Sequence, residues 1–461
     1  MAIIAFSLSG IEVGGHITQD TVWSPENNPY VITSFLYVDL GVTLTILPGT
    51  EVRCVGADKI NIDNFRWNSG GTIQPLSKMI IVNGVINAVG TEDMPITFDR
   101  AQDNENYKWG GVYIYPGARI SCFEYCEFRN VFFCDYVPGE WSLAAVVFEN
   151  GMIKIRNCTF ENNRYAIGSS SLCSDVVIYK CNFISGNDTY PPPFGLTGFF
   201  GIGAASEPVP EEFYFLTIAN CNFTGSGVFA TIGDHTYALF INNYVHEYTA
   251  RSDIDDMVRS ESGSVSSYGN TSINGSKGWG CSSATATDSV FARRNILIKP
   301  ENVNPGNSPL ILGSDGFGTN YVSDNYLSGC VQVKTMMSNA TTSYIYNNII
   351  ENNYPGSPMK FENWNPQYQG GQIRFFNNLV RYTGSIESYA VNVYESFPFI
   401  YNNTILDYNN LHYSLGDYHT IYTNNIIDIS YGFGQFSEGF YPLLYNNCLS
   451  IPIPQGSSIV G

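Results

Sequence analysis

One segment of this chain is more highly charged than most of its repeats, and its residue types could support chemistry on an acidic sugar polymer. Residues 246–280 contain the candidates Asp253, Asp255, Asp256, Arg259, Glu261 and Lys277. Calcium prefers oxygen ligands, so Asp253, Asp255 and Asp256 on stacked strands could hold one ion. Calcium would neutralise a uronate carboxylate and ease removal of the neighbouring proton, with an arginine or lysine of lowered pKa as the base.

The same segment allows two other interpretations. A glycoside hydrolase would use two of the carboxylates, roughly 5–10 Å apart across a cleft. Alternatively, the charges form salt bridges and turns on an exposed strand face and carry no chemistry. Alanine at Asp255 and Asp256 should separate these interpretations through glycan binding, calcium binding and stability.

Aromatic residues cluster in two segments that interrupt the regular pattern of the chain. Residues 187–215 are rich in proline and glycine and contain Tyr190 and Phe194, and residues 353–371 contain Trp364 and Tyr368. Loops on a rigid scaffold often carry binding residues, so these rings are candidates for stacking on sugars. The alternative is that they pack each loop onto the scaffold.

Other common catalytic and metal-binding patterns are absent from the sequence. The histidines lack metal-ligand spacing, the cysteines lack zinc-type pairs, and no G-x-S-x-G nucleophile motif occurs. We therefore expect core or surface roles for the histidines.

The elements that would position these residues are indicated by a repeated asparagine pair. It recurs in "YIYNNIIENN", "FFNNLVRY", "IYNNTILDY", "YTNNIIDIS" and "LYNNCLS". The second asparagine of each pair, or its single equivalent, marks a series: Asn243, Asn270, Asn295, Asn325, Asn348, Asn378, Asn403, Asn425 and Asn447. Cysteine fills the same place earlier, at Cys126, Cys158, Cys181 and Cys221. The shortest steps are near 22 residues, as from Asn403 to Asn425.

A period near 22 with short strand-like segments predicts an all-β fold, a parallel β-helix with loop insertions. Each coil would contain three short strands, and asparagine suits the turn between two of them. Stacked asparagines could then form side-chain hydrogen bonds along the axis. The cysteines would continue the column as small buried side chains. Parallel side chains are poorly directed for disulfides, so we expect free thiols.

With these repeats, the chain resembles the secreted right-handed parallel β-helix proteins of bacteria, the pectate-lyase-like superfold. The likeness extends to residues 21–54, which contain "GVTLTILPGT", and to 80–98 and 109–120. The segment at 246–280 resembles a coil pair of these proteins of the type D-x-D-D-G-I-D…D-K-G-I-S. Met257 replaces its glycine, Ser260 or Glu261 its last aspartate, and Ser276 the aspartate before the lysine. The resemblance implies the right-handed β-helix fold; members include lyases, hydrolases, epimerases and adhesins, so the activity stays open.

The predicted fold divides the chain into two parts. Residues 1–55 would form an N-terminal strand and the capping first coils, and residues 56–461 the β-helix. The apolar residues Ala2–Leu8 could be a signal-peptide remnant, cover the first coil, or pair with the C-terminal coil near 451–461 of another molecule. Head-to-tail pairing of that kind would produce a filament unless it closed into a ring.

The composition limits the kinds of molecule that the protein could bind. The chain has 461 residues, a formal net charge of −19 and 44% hydrophobic residues. That charge argues against nucleic acid and anionic membranes, and no apolar run is long enough to span a bilayer. Our leading expectation is a secreted or cell-surface protein with a structural or adhesive role that contacts glycans. The alternatives are a lyase or hydrolase acting on an acidic polysaccharide, and a viral or phage spike.

Overall fold

The structure is a computed structural model, and it describes the greater part of the chain. The described residues are 10–58, 78–104, 106–115, 120–131, 134–137, 140–142, 144–148, 153–163, 165–169, 176–184, 199–201, 214–225, 230–232, 236–247, 258–260, 264–273, 280–281, 290–299, 310–314, 319–329, 331–337, 342–353, 357–363, 372–385, 388–394, 396, 398–415, 420–435, 442–450 and 458–460. All structural statements below concern these residues.

The chain forms two compact units, Met1–Thr231 and Ile232–Gly461. Each is a right-handed parallel β-helix, so the predicted fold is confirmed. Three parallel sheets run along each unit. Sheet 1 leads into the corner marked by the repeated asparagine or cysteine, sheet 2 leaves that corner, and sheet 3 completes the coil. The proposed boundary between residues 55 and 56 stays a prediction.

The first unit contributes short strands to all three sheets. Sheet 1 contains Thr21–Trp23, Thr43–Ile46, Val85–Val89, Ser121–Glu124, Ile153–Arg156, Val176–Tyr179 and Tyr214–Ala219. Sheet 2 contains Glu51–Cys54, Ile96–Arg100, Cys126–Arg129, Thr159–Glu161, Asn182–Ile184 and Asn222–Gly225. Sheet 3 contains Ile80–Val82, Val112–Ile114, Ala144–Phe148, Tyr165–Ser169, Phe199–Gly201 and Ala230–Ile232, while Ile11–Ile17 and Tyr30–Val38 run through sheets 2 and 3.

The second unit repeats this plan. Sheet 1 contains Thr236–Ile241, Ser264–Tyr268, Val290–Arg293, Asn320–Ser323, Thr342–Tyr346, Gln372–Phe376, Pro398–Tyr401, Ile421–Thr423, Leu443–Tyr445 and Ser458–Val460. Sheet 2 contains Tyr244–Glu247, Thr271–Ile273, Ile296–Lys299, Tyr326–Gly329, Ile349–Asn352, Leu379–Tyr382 and Cys448–Leu449. Sheet 3 contains Val258–Ser260, Gly280–Cys281, Leu310–Ser314, Val331–Met337, Met359–Asn363 and Tyr389–Tyr394, while Thr404–Leu415 and Ile426–Gln435 run through sheets 2 and 3.

Only small elements depart from the parallel plan. Pro25–Asn27 is a 3-10 helix, and two antiparallel pairs join Ala57–Asp58 to Tyr107–Lys108 and Cys134–Val137 to Glu140–Ser142. Within the described part of the chain, no helix has the length and apolar character needed to cross a membrane.

Alternation along each sheet 1 strand sends one set of side chains inward. In Thr342–Tyr346 the side chain of Ile345 is fully buried, while Tyr344 and Tyr346 face outward. The next strand aligns Phe375 with Ile345, so the inward positions form continuous apolar columns. Side chains in a strand point alternately to the two faces, so one apolar position per strand suffices to build this core.

At the corner between sheets 1 and 2, the two members of the asparagine pair have different roles. The first member takes the left-handed conformation, with φ of 57° at Asn347 and 56° at Asn402. Asparagine is one of the few residues that tolerate this region of backbone space, and Gly269 occupies the same position with φ of 66°. The first residue therefore turns the chain, and the second is left to point into the coil.

The second member of each pair forms the predicted ladder in the second unit. The backbone N–H and Nδ2 of Asn348 donate to Oδ1 of Asn378 at 3.0 and 2.9 Å, and Nδ2 also donates to the carbonyl of Val322 at 3.0 Å. Side-chain hydrogen bonds of this kind link Asn243, Asn270, Asn295, Asn325, Asn348, Asn378, Asn403, Asn425 and Asn447 in order. Buried amides require such partners, so the ladder fixes the register of successive coils.

Cysteines occupy the equivalent corner of the first unit. The thiol of Cys158 contacts the carbonyls of Arg156 and Phe123 at 3.3 and 3.5 Å. These are the counterparts of the two carbonyls bonded by Asn378, at Phe376 and Ile345. The thiols of Cys181 and Cys221 make similar contacts. All cysteines whose side chains are described are free, as predicted: Cys54, Cys122, Cys126, Cys158, Cys181, Cys221 and Cys448.

A column of phenylalanines fills the core of the first unit beside these thiols. The column consists of Phe98, Phe128, Phe160, Phe183 and Phe223, with successive ring centroids 4.7, 5.1, 5.2 and 4.4 Å apart. All five are buried. Offset stacking of aromatic rings is favourable beyond area burial, so this column stabilises the stacking of coils.

Candidate functional site

The structure leaves the predicted site residues almost entirely untested. Residues outside the described part of the chain are Asp253, Asp255, Asp256, Glu261, Lys277, Tyr190, Phe194, Trp364 and Tyr368. Arg259 lies in the strand Val258–Ser260, of which only the backbone is described. The calcium, catalytic and loop-stacking assignments therefore stay predictions. Among the described residues, no group of His, Cys, Asp or Glu side chains is arranged to hold a metal ion.

The described residues present a different candidate on the outer face of sheet 1 in the second unit. We define the aromatic strip as the outward-facing aromatic and arginine side chains of the strands from Ser264–Tyr268 to Pro398–Tyr401. Its members are Tyr268, Phe291, Arg293, Tyr321, Tyr344, Tyr346, Arg374, Phe376, Phe399 and Tyr401. They occupy positions two and four residues before the ladder asparagines, which alternation directs outward.

The first column of the aromatic strip combines aromatic stacking with a cation. The rings of Phe291 and Tyr321 lie 5.1 Å apart, and those of Tyr321 and Tyr344 lie 5.2 Å apart, with planes within 9°. The guanidinium of Arg374 lies 5.6 Å from the ring centroid of Tyr344. Phe399 is the next residue in register after Arg374. The column therefore ends in a cation–π contact followed by another exposed ring.

The second column runs parallel to the first and lies closer to the corner. Tyr346 and Phe376 stack at 5.0 Å, and Phe376 and Tyr401 stack at 4.9 Å. The register neighbours at the two ends of this stack are Ser323 and Thr423, so no aromatic ring continues it. The column thus presents ring edges and tyrosine hydroxyls along its length and one unstacked ring face at each end.

Exposure separates the aromatic strip from the buried phenylalanine column of the first unit. Phe291 is 43% exposed, Tyr268 37% and Phe399 36%, whereas Phe98 and Phe128 are fully buried. Stacking inside a core explains the buried rings. Exposed rings grouped on one rigid face are instead typical of an interaction site.

Hydrogen bonds hold Arg293 of the aromatic strip and its neighbour Arg294 in place. Nε of Arg293 donates to Oδ2 of Asp324 at 2.8 Å, and Arg294 donates to the hydroxyl of Tyr268 at 2.6 Å. Burial alone would raise the pKa of Asp324, but hydrogen bonds from Arg293, Asn347 and Ser323 outweigh it, and the pKa is lowered. The same hydrogen bond raises the pKa of Arg293. Both partners therefore remain charged at neutral pH.

The charge of the aromatic strip is opposite to that of the whole chain. The formal net charge is −19, yet the outward positions of these strands carry Arg293 and Arg374 and neither aspartate nor glutamate. The acidic neighbour Asp324 lies at the corner and is paired with Arg293. Charges more than about 8 Å away are screened at physiological ionic strength. Asp324 lies within that distance, so a ligand on this face meets Arg374 together with an Arg293 that is already paired with Asp324.

This arrangement has the chemistry of a sugar-contacting face. Tyrosine rings offer apolar edges and hydroxyls, and they lose little conformational entropy on binding because they have only two side-chain torsions. The pattern was visible in "SYIYNN", "RFFNN" and "PFIYNN", where aromatic residues alternate before the asparagine pair. The aromatic residues of the loop insertions remain the other predicted sugar contacts.

His16 and His412 do not build a competing site. His16 lies on an early coil, with Nδ1 2.7 Å from Oδ1 of Asp39 and its ring stacked on Tyr37 at 4.7 Å. His412 lies in the core of the second unit, 2.8 Å from the hydroxyl of Tyr422. These surroundings agree with the expected surface and core roles.

Comparison with known proteins adds no assignment. Neither the protein-family models nor the curated proteins contain a match to this chain.

Proposed function

We propose that this protein is a secreted or cell-surface β-helix protein of the pectate-lyase-like group, with a structural or adhesive role, and that its aromatic strip contacts glycans. The observation that carries the proposal is the ordered set of exposed and partly exposed rings, with two arginines, on sheet 1 of the second unit. The parallel sheets provide a rigid support, and rigid support reduces the cost of binding.

Charge and accessibility favour glycans over other partners. A membrane surface or nucleic acid is disfavoured by the net charge of −19. Sugars combine apolar ring faces with hydroxyls. The aromatic strip offers both kinds of contact within one sheet.

The test is a binding screen of the purified protein against immobilised glycans. The variant Phe291→Ala/Tyr344→Ala/Phe399→Ala should lose at least tenfold in affinity for any glycan that the parent protein binds. Tyr431→Ala is the matched control, because Tyr431 is 75% exposed in the same unit and lies outside the aromatic strip. Equal binding by parent and triple variant would show that the aromatic strip is not the binding face.

A further inference from the structure

We propose that two copies of this protein pair through the outer face of sheet 2 in the second unit, with their coil axes antiparallel. Such a contact uses the same surface on both copies, so it closes at two copies and does not extend into a filament. The inference goes beyond the proposed function, because it concerns a different sheet and does not depend on a glycan. Exposed apolar side chains indicate a protein partner, and their order along the axis indicates a second copy.

We define the sheet 2 face as the outward side chains of six consecutive strands in the second unit. These strands pair in parallel, from Ile296–Lys299 to the start of Ile426–Gln435. Side chains directly after the ladder asparagines form its near column, which consists of Ile296, Tyr326, Ile349, Leu379, Thr404 and Ile426. Side chains two residues further along form its far column, which consists of Ile298, Ser328, Glu351, Arg381, Leu406 and Asp428.

The near column exposes branched aliphatic side chains. Ile296 is 41% exposed, Ile349 42% and Ile426 53%, whereas their inward neighbours Leu297 and Ile350 are fully buried. Contiguous apolar side chains on one exposed face are typical of a protein contact. Isoleucine has neither the aromatic ring nor the hydroxyl that the aromatic strip offers, so this face suits another apolar protein surface rather than a sugar.

The charge of the sheet 2 face permits two copies to approach each other through it. The whole chain has a formal net charge of −19, so two copies in general repel each other. The sheet 2 face carries only Arg381, Glu351 and Asp428 as charged residues, and its near column is uncharged. Association through this nearly neutral face therefore meets little repulsion between like charges.

The order of the near column is almost symmetric about its centre, which lies between the third and fourth of its six strands. A twofold axis at this point, parallel to the strands, would place each coil opposite the coil of the second copy that lies equally far beyond the centre. The resulting pairs are Ile349 with Leu379, Ile296 with Ile426, and Tyr326 with Thr404. Each pair joins two aliphatic side chains or a large side chain and a smaller one, so the two faces can pack closely.

The same axis brings opposite charges together at the centre of the far column. Within one chain, Oε2 of Glu351 accepts a hydrogen bond from the hydroxyl of Tyr326 at 2.7 Å, and Nε of Arg381 donates to Oδ2 of Asp407 at 2.8 Å. The Arg381 side chain is 53% exposed and has further N–H donors. The axis would place Arg381 of each copy opposite Glu351 of the other, so the contact would contain this charge-assisted pair twice.

The size of the sheet 2 face suits a weak, reversible dimer. Six strands about 4.8 Å apart, each with about four residues, cover roughly 30 by 13 Å, so a pair of copies would bury about 1,000 Å² in total. Interfaces of this size are near the lower limit for specific complexes, and we expect a dissociation constant in the micromolar range. Asp428, which accepts a hydrogen bond from Ser450 at 2.6 Å, lies at the rim of this area, where its carboxylate can stay in contact with water.

The proposed dimer would also bring the two aromatic strips beside the same edge of the contact. Sheet 1 strands end at the asparagine corner, and sheet 2 strands begin there. A rotation about the strand direction leaves the corners of both copies at the same edge. Two aromatic strips beside one edge could contact one glycan surface together, which would raise the avidity of binding.

Analytical ultracentrifugation of the full chain, from low to high micromolar concentration, measures the association. We expect a reversible equilibrium between monomer and dimer. Ile349→Lys/Ile426→Lys should raise the dissociation constant at least tenfold, because it places charges in the apolar contact. Tyr431→Lys is the matched control and should leave the constant unchanged, since Tyr431 is 75% exposed in the same unit and lies outside the sheet 2 face. Unchanged melting temperatures would show that these variants are folded.

Cysteine cross-linking tests the antiparallel register. The variants Cys448→Ser/Ile296→Cys and Cys448→Ser/Ile426→Cys, which lack the exposed native thiol, are mixed and oxidised, and linked peptides are identified by mass spectrometry. Within one chain residues 296 and 426 lie five strands apart, about 24 Å, which a disulfide cannot span. We therefore expect a link between 296 and 426 that joins two copies. Cys448→Ser/Tyr431→Cys, mixed with the first variant, should give no link to 296.

Each contrary outcome overturns a stated part of the proposal. A protein that stays monomeric at the highest concentration would refute the dimer. A dimer that the two lysines leave intact would assign the contact to another surface, and a link between residues 296 of two copies would refute the antiparallel register. Assemblies larger than two copies would refute the closed contact. Glycan binding by the aromatic strip is measured separately, so failure of the dimer and failure of the proposed function are distinguishable.

Discussion

His412 is a titratable group enclosed by the core of the second unit. Its side chain lies in the strand Thr404–Leu415 against Tyr422, and burial lowers its pKa to about 3. In the unfolded chain a histidine titrates near pH 6.5. Between these two values the unfolded state binds a proton that the folded state excludes, so stability should fall as the pH drops from about 6.5 towards 3.

The corresponding prediction compares the parent protein with His412→Gln. Between pH 7 and pH 5 the parent should lose about 2 kcal/mol more of unfolding free energy than the variant, since each pH unit within the window is worth up to about 1.4 kcal/mol. Chemical denaturation at the two pH values provides the measurement. Carboxylates common to both proteins cancel in the comparison, and identical pH dependence would show that His412 is accessible to protons in the folded state.

The two residues of one asparagine pair should respond differently to substitution. Asn348→Ala removes the acceptor for the backbone and side-chain N–H groups of Asn325, so we expect a loss of about 3 kcal/mol. Asn347 is exposed and has φ of 57°, so Asn347→Ala should cost about 1 kcal/mol through backbone strain. Glycine at 347 should restore most of that loss.

Denaturation midpoints of these variants, measured under one set of conditions, provide the test. Asn347→Gly serves as the control for the turn, because glycine adopts positive φ without strain. If Asn347→Ala proved as damaging as Asn348→Ala, the division of roles within the pair would be wrong.

The buried cysteines Cys126, Cys158, Cys181 and Cys221 form a column at the corner between sheets 1 and 2 of the first unit. Burial raises the pKa of Cys158 and Cys181, and a hydrogen bond to Cys181 together with burial raises that of Cys221. Thiolates, rather than thiols, react with alkylating and disulfide reagents. The thiols of Cys158, Cys181 and Cys221 should therefore be inert in the folded protein, and burial should keep reagents away from Cys126.

Mass spectrometry after brief alkylation at pH 8 tests this prediction. We expect modification of Cys448, which is exposed, and no modification of Cys126, Cys158, Cys181 or Cys221 until denaturant is added. Modification of the column at the rate of Cys448 would indicate that the first unit opens readily.

The asparagine column could be predicted from the sequence for a physical reason. Register neighbours in a parallel stack are chemically coupled, so a residue that needs a partner, such as Asn378, must recur in the next coil, here as Asn403. The repeat period and the asparagine column can therefore be predicted directly from the sequence. Outward residues such as Tyr344 and Phe399 have no such requirement, so the aromatic strip cannot be predicted from the repeat in the same way.

For the whole molecule, fold and function differ in how far the sequence constrains them. The repeat and the alternation of side chains together specify a parallel β-helix, because few other architectures bury one short apolar stripe per strand. The choice of ligand depends on side chains brought onto one face from strands many residues apart, such as Phe291 and Phe399. Sequence proximity favoured the charged residues 253–261 instead, and their assignment remains a prediction.

Hydroxyl-radical footprinting of the protein, with and without a glycan that it binds in the screen, tests directly whether the aromatic strip is the binding face. We expect the glycan to protect Tyr321, Tyr344 and Phe399 from oxidation and to leave Tyr431 unchanged. Protection confined to Tyr190, Phe194, Trp364 or Tyr368 in the insertions, with the rings of the aromatic strip still oxidised at their original rates, would contradict it.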